Sequence, residues 1–135
     1  MSEITVKATL EQMGDVMAFV DAALEEMGCS MRAQMQIDVA MDELFSNIAH
    51  YAYPAGGGEA TVAIAFDEGT RQAVITLTDR GIPFNPLECG DPDITAAAGE
   101  RKAGGLGIFL VRKTMDALEY RREGDRNILT VRKGI

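Results

Sequence analysis

The period of the apolar residues changes once along this chain, and that change constrains the fold more than any single motif does. From Thr9 to Tyr53 the apolar residues recur at helical spacing, and from Val62 onward they alternate. The helical half divides in two. Thr9 opens the first piece with Thr9-x-x-Gln12, the pattern of a capping box, and Leu10, Met13, Met17, Val20, Leu24 and Met27 form its apolar face before Gly28 closes it. Ser30 restarts a helix that runs to about Tyr53, where Pro54, Gly56, Gly57 and Gly58 end it. The methionines read as core filler, because an unbranched thioether fits irregular gaps.

In the alternating half, Val62, Ile64 and Phe66 share one face of a strand. Ala73, Ile75 and Leu77 share a face of the next, with Asp67-Glu68-Gly69 as the turn between them. The second strand runs into Asp79-Arg80-Gly81-Ile82-Pro83-Phe84-Asn85-Pro86, where glycine and proline stop it. From about Leu87 to Ala103 no period holds, and a loop of that length in a compact domain is usually functional. Gly104-Gly105-Leu106-Gly107 then feeds a helix predicted from Ile108 to about Asp116, with Ile108, Val111 and Met115 toward a sheet. A last hairpin joins Ala117–Arg122 to Asn127–Lys133 through Gly124-Asp125, and Ile4 to Ala8 alternate weakly as a short edge strand. Helices and strands are grouped rather than strictly alternating. That order predicts an α+β fold, a two-layer sandwich of an antiparallel or mixed sheet with helices on one face.

With 135 residues and 47% hydrophobic content, one domain spanning 1–135 with one core is expected. A net charge of -8 weighs against nucleic acid and against an anionic membrane surface as partners, since both would repel the chain. Cys29 and Cys89 are too few and too far apart for a disulfide framework, and one histidine makes a transition-metal cluster a poor fit. Both read as reduced thiols. No apolar run approaches the roughly 18 residues of a membrane span and no leader pattern is present, so the cytoplasm is the expected compartment.

Three stretches carry chemistry. Around Ile37, the residues Ala40, Met41, Leu44 and Ile48 fall within about 60° on a helical wheel, a stripe that a helix buries. Glu43, Asn47 and His50 cluster beside that stripe, because steps of four and three residues return to nearly the same angle. A carboxylate, an amide and an imidazole one turn apart beside a buried face suit the wall of a pocket. Asn47 offers a neutral oxygen to a hard cation, and magnesium takes only one or two protein oxygens beside water and phosphate. Glu43 is placed to orient or deprotonate a hydroxyl. A Gly-rich turn into a helix, Gly104 to Gly107, presents unpaired N–H groups and suits phosphate. Asp79, at the end of a half-buried strand, needs donors, and the exocyclic amine of a purine is one. Taken singly, each also fits an ordinary scaffold: a regular polar flank, a glycine-rich helix start, a turn aspartate.

Their order is what is specific. Glu43-x-x-x-Asn47 on a helix, Asp79-x-Gly81-x-x-Phe84-x-Pro86, a long loop, then Gly104-Gly105-x-Gly107 opening a helix resembles the Bergerat-type ATP-binding fold of the GHKL superfamily. Within it the chain looks most like the anti-sigma-factor serine/threonine kinases of bacterial partner-switching systems. The resemblance implies a histidine-kinase-like ATPase domain with ATP and magnesium as cofactors. It implies Glu43 as general base, Asn47 as magnesium ligand, Asp79 as acceptor from the adenine amine and Gly81 as a place where the ring lies close. By the same resemblance the nucleotide contacts extend to Phe84, to Gly104, Gly105, Leu106 and Gly107 at the phosphates, and to Thr130 near the adenine. The loop from Leu87 to Ala103 would be the lid.

In two places the sequence departs from that family's pattern. Related kinases often carry a histidine four residues after the asparagine, where this chain has Tyr51, with His50 one residue earlier and on the pocket flank. They also often carry an arginine directly before the final glycines, whereas here Ala103 stands there, preceded by Arg101 and Lys102. With the loop as a lid, Arg101 is then the cation expected to reach a γ-phosphate. The implied partners are an anti-anti-sigma antagonist and a sigma factor, with a homodimer among the implied assemblies. The alternative is a non-catalytic, ATP-responsive module that sequesters a regulator. The ATP-binding part of a histidine kinase fits less well, because this sequence has no room for a phosphoacceptor helix pair.

Overall fold

A computed structural model describes residues 1–88 and 105–135, so Cys89, Arg101, Lys102, Ala103, Gly104 and nearly all of the expected lid lie outside the described residues. The strands are β1 (Ser2–Lys7), β2 (Glu59–Asp67), β3 (Gln72–Asp79), β4 (Ala117–Glu123) and β5 (Arg126–Gly134). The helices are α1 (Met13–Glu26), α2 (Met31–Asn47) and α3 (Gly105–Thr114). The five strands form one sheet in the order β1-β2-β3-β5-β4, and every pairing is antiparallel. The expected α+β sandwich is thus met, with the sheet antiparallel throughout.

Period two explains the layering. Val62 pairs with Leu77, Ile64 with Ile75, Leu77 with Leu129 and Ile75 with Val131, so one sheet face is a continuous apolar layer. The buried stripes of all three helices pack on it: Val16, Val20 and Leu24 from α1, Ile37, Met41 and Leu44 from α2, Ile108 and Val111 from α3. Each such side chain contributes about 1.5–3 kcal/mol by leaving water. Helix α2 lies against both α1 and α3 and is the centre of the helical layer. Among the described residues, no helix is long and apolar enough to cross a membrane.

Local chemistry differs from the sequence expectation in three places. Thr9 makes no capping bond with its side chain; Leu10–Gln12 form a tight 3-10 turn, α1 begins only at Met13, and Leu10 is exposed. Ser30 does cap α2, accepting from the Ala33 N–H at 3.1 Å. Beyond Asn47 the helix widens into a π-turn over Ile48–Ala52 rather than continuing to Tyr53 as α-helix. The β2–β3 connection is longer than Asp67-Glu68-Gly69: Asp67 Oδ1 accepts from the N–H groups of Gly69 and Thr70, and Arg71 turns the chain at φ 55°.

Candidate functional site

Asp79 is the last residue of β3 and continues the core-facing set Ala73, Ile75, Leu77, which is why a carboxylate ends up only 6% exposed. Two donors hold it. The Gly81 N–H and the Asn127 amide both donate to Asp79 Oδ1 at 2.9 Å, and among the described residues Oδ2 receives no bond. Oδ2 therefore keeps the capacity to accept from a ligand. Gly81 is required by the protein itself, because a Cβ there would strike the backbone carbonyl of Ala52 at the end of the π-turn. The neighbouring Ile82 N–H donates to that same carbonyl at 2.8 Å, and Arg122 donates to the Gly81 carbonyl at 2.8 Å.

A pocket opens over Asp79. Leu44, Asn47, Ile48 and Ala52 form the helical wall, and Phe84 and Pro86 close one side. Tyr120, Asn127 and Leu129 close the sheet side, with Leu77 beneath. The free space is about 20 Å³. That is room for about one water in the closed part of the pocket.

Beside this pocket lies a charged corner built by α2 and α3. Glu43 is half-buried, and its pKa is raised above the ordinary carboxylate value, foremost by burial and then by the charge of Asp42, against the Asn47 amide, which pulls it down. Among the described residues, the buried Glu43 Oε1 has no hydrogen-bond partner. A buried acceptor with no donor is costly and fits a site that a ligand completes. Gly107, in the first turn of α3, lies so close that a Cβ there would coincide with the Glu43 carboxylate. Carboxylate, amide and helix N-terminus therefore converge, and Asn47, 8% exposed, lies along the pocket wall that leads to Asp79.

Residues 6–133 match the histidine kinase-like ATPase domain. The chain belongs to that family. This histidine kinase-like ATPase domain is 26% identical over 102 residues to the serine/threonine-protein kinase BtrW of Bordetella bronchiseptica, covering 76% of this chain and 71% of that one. It is 29% identical over 125 residues to the serine-protein kinase RsbW of Halalkalibacterium halodurans, covering 90% of this chain and 75% of that one. Among solved structures it resembles the RsbU and RsbW domains of Rv1364c from Mycobacterium tuberculosis, with a TM-score of 0.64 at 15% identity over 99% of this chain. It also resembles the histidine kinase domain of the blue-light activated histidine kinase from Erythrobacter litoralis EL346, with a TM-score of 0.58 at 15% identity over 95% of this chain. The ATPase domain spans 32% of the mycobacterial chain and 64% of the Erythrobacter chain, and these two likenesses concern the fold. The resemblance to GHKL proteins and to anti-sigma-factor kinases, read from the motif order, is met.

The ATPase domain brings most of the sequence-chosen residues together. Asn47, Asp79 and Phe84 line the pocket, Gly81 follows it, Glu43 adjoins Gly107, and Gly105 and Leu106 begin α3. Two do not join them. His50 is exposed, lies within the π-turn Ile48–Ala52 and does not line the pocket over Asp79. Its ring neighbours Tyr51 at 6.0 Å, and Tyr51 in turn lies 5.3 Å from Phe84. Thr130 pairs with Thr76 on β3, so it projects from the sheet face opposite Leu129 and away from the pocket. Asn127, three residues earlier, is the β5 residue that reaches Asp79. Its signal in the sequence was period two: an asparagine in phase with Leu129 and Val131 must be buried.

Proposed function

We propose that this chain binds magnesium-ATP over Asp79 and transfers its γ-phosphoryl group to a serine or threonine of an antagonist protein, holding a sigma factor when that antagonist is already phosphorylated. The observation that carries the reading is the corner where Glu43, with its orphaned Oε1, meets Gly107 one helical turn from Asn47 and beside the Asp79 pocket. Asp79 Oδ2 accepts from the exocyclic amine of adenine. The N-terminus of α3 faces the phosphates with unpaired N–H groups. The orphaned carboxylate oxygen and the buried amide suit a hard cation, and Asn47 would hold magnesium, which supplies charge neutralisation to the phosphates.

Glu43 accepts the proton of the incoming hydroxyl as its oxygen bonds to the γ-phosphorus and the bond to ADP breaks. A raised pKa suits that role, since a general base works best near the operating pH. The kinase names of BtrW and RsbW support the reaction class. Such transfer is mostly positioning plus electrostatics, so these few groups suffice.

The test is calorimetric titration with magnesium-ATP, followed by incubation with labelled ATP and candidate antagonists. Saturable binding is expected, about ten- to a hundredfold weaker in Asp79→Ala, which loses a hydrogen bond to a charged acceptor. GTP should bind more weakly than ATP, because its carbonyl would meet the same carboxylate. Binding that survives Asp79→Ala unchanged removes Asp79 from the site. Binding without phosphoryl transfer to any antagonist leaves the non-catalytic switch as the function.

A further inference from the structure

We propose that Asn127 sets the base specificity of the pocket: it saturates Asp79 Oδ1, so the carboxylate meets a purine with Oδ2 alone. The inference rests on the nucleotide reading of the pocket and names a residue that reading does not use. Asn127 is 5% exposed at the start of β5, directly opposite Asp79 in the ladder. Its amide donates to Asp79 Oδ1 at 2.9 Å and to the Ile82 carbonyl at 2.8 Å. Its oxygen accepts from the Tyr120 hydroxyl at 2.5 Å and from the Phe84 N–H at 3.3 Å. A side-chain amide has two N–H donors and two acceptor positions, and all four are used.

Two consequences follow from that full complement. The amide cannot flip, because a reversed Asn127 would set its oxygen against both the Asp79 carboxylate and the Ile82 carbonyl, and its NH₂ against the Phe84 N–H. It also has no donor or acceptor left for a ligand, so Asn127 is a positioning residue. With the Gly81 N–H on the same Oδ1, the carboxylate has one oxygen locked and one open. A lone, fixed acceptor takes the amine at the six-position of adenine and rejects a carbonyl there, since two acceptors facing each other are both left unpaired. Held by the Gly81 N–H alone, the carboxylate can rotate about that one bond and turn away from the carbonyl. Tyr120 is part of the same device, because its hydroxyl holds the amide and its ring forms the pocket wall.

The experiment measures affinities for magnesium-ATP and magnesium-inosine triphosphate, whose base has a carbonyl for the amine at the six-position and a proton on N1, in the wild type, Asp79→Ala, Asn127→Leu and Tyr120→Phe. Melting of each ligand-free protein is followed in parallel. The wild type should prefer ATP and Asp79→Ala should lose that preference. Asn127→Leu, similar in volume but without hydrogen bonds, should shrink the ATP-to-inosine ratio by about tenfold or more. A purely structural role would instead weaken both nucleotides equally and leave the ratio unchanged. Tyr120→Phe removes one donor from a part-exposed ring and should narrow the ratio by about two- to fivefold. If Asn127→Leu does not fold, Tyr120→Phe decides alone. A wild type without preference overturns this inference and the adenine role of Asp79 together. A preference that Asp79→Ala abolishes, and that the Asn127 and Tyr120 variants retain in full, overturns this inference only.

Discussion

Glu43 and Asn47 differ from Asn127 in how a single residue becomes functional. Glu43 owes its position to its own helix, and its chemistry to burial and to the glycine of α3 facing it. Replacing it by glutamine keeps the shape and removes the base. Glu43→Gln should bind ATP normally and transfer phosphate about two to four orders of magnitude more slowly, read as initial rates at saturating ATP. A rate equal to wild type would dismiss Glu43 as the base. The pH profile adds a second signature. Because the carboxyl titrates above the ordinary glutamate value, transfer should fall on acidification before an ordinary glutamate would protonate, and Glu43→Gln should lack that limb. The positions of Glu43, Asn47 and Asp79 beside one pocket were legible because helical phase or strand termini placed them. Thr130 was misread because its assignment rested on likeness, and the register turns it to the far face of the sheet.

At the scale of elements, the π-turn at Ile48–Ala52 is the feature that joins helix to pocket. It carries the Ala52 carbonyl to the Ile82 N–H, and only a glycine at position 81 leaves room for that approach. Gly81→Ala should cost about 1–3 kcal/mol in chemical denaturation, because the contact it creates is with backbone, which yields little. An unchanged midpoint would show that this junction is loose. A second element-scale feature joins α1 to α2, where Asp21 and Asp38 each bury an Oδ1 that has no donor among the described residues. Two carboxyl oxygens can hydrogen-bond only through a proton. Asp38 is accordingly pushed up to about 7, foremost by burial and then by the bond to and the charge of Asp21. Since the folded value lies above the ordinary 3.8, the stability this proton supplies is full below that value and is lost as pH rises through about 7. Asp38→Asn should flatten that dependence and raise the melting temperature at pH 8 by a few degrees, the pair being partly solvated. A variant melting with the wild-type pH dependence would assign the effect elsewhere.

For the whole molecule, helix layer and sheet close on each other so tightly that about 20 Å³ remains over Asp79. On the proposed reading the nucleotide binds the folded chain and not the unfolded one. By mass action, ATP at a hundred times its dissociation constant should stabilise the fold by about 2.7 kcal/mol. Thermal melting should show a rise of several degrees with magnesium-ATP, and a smaller one for Asp79→Ala at the same concentration. No shift at millimolar nucleotide would mean that the folded chain does not bind ATP, and an equal shift in Asp79→Ala would place the nucleotide elsewhere. The sequence by itself determined the layers, because a switch from helical period to period two leaves grouped amphipathic helices and strands one economical way to bury their faces. It also determined the order of the motifs, and with it the family. Tertiary structure decided which side chains meet. The β3–β5 register set Asn127 rather than Thr130 against Asp79, the π-turn carried the Ala52 carbonyl to the Ile82 N–H, and the approach of α3 brought Gly107 onto Glu43. Each of these depends on contacts between segments far apart in the chain, which local periodicity does not encode.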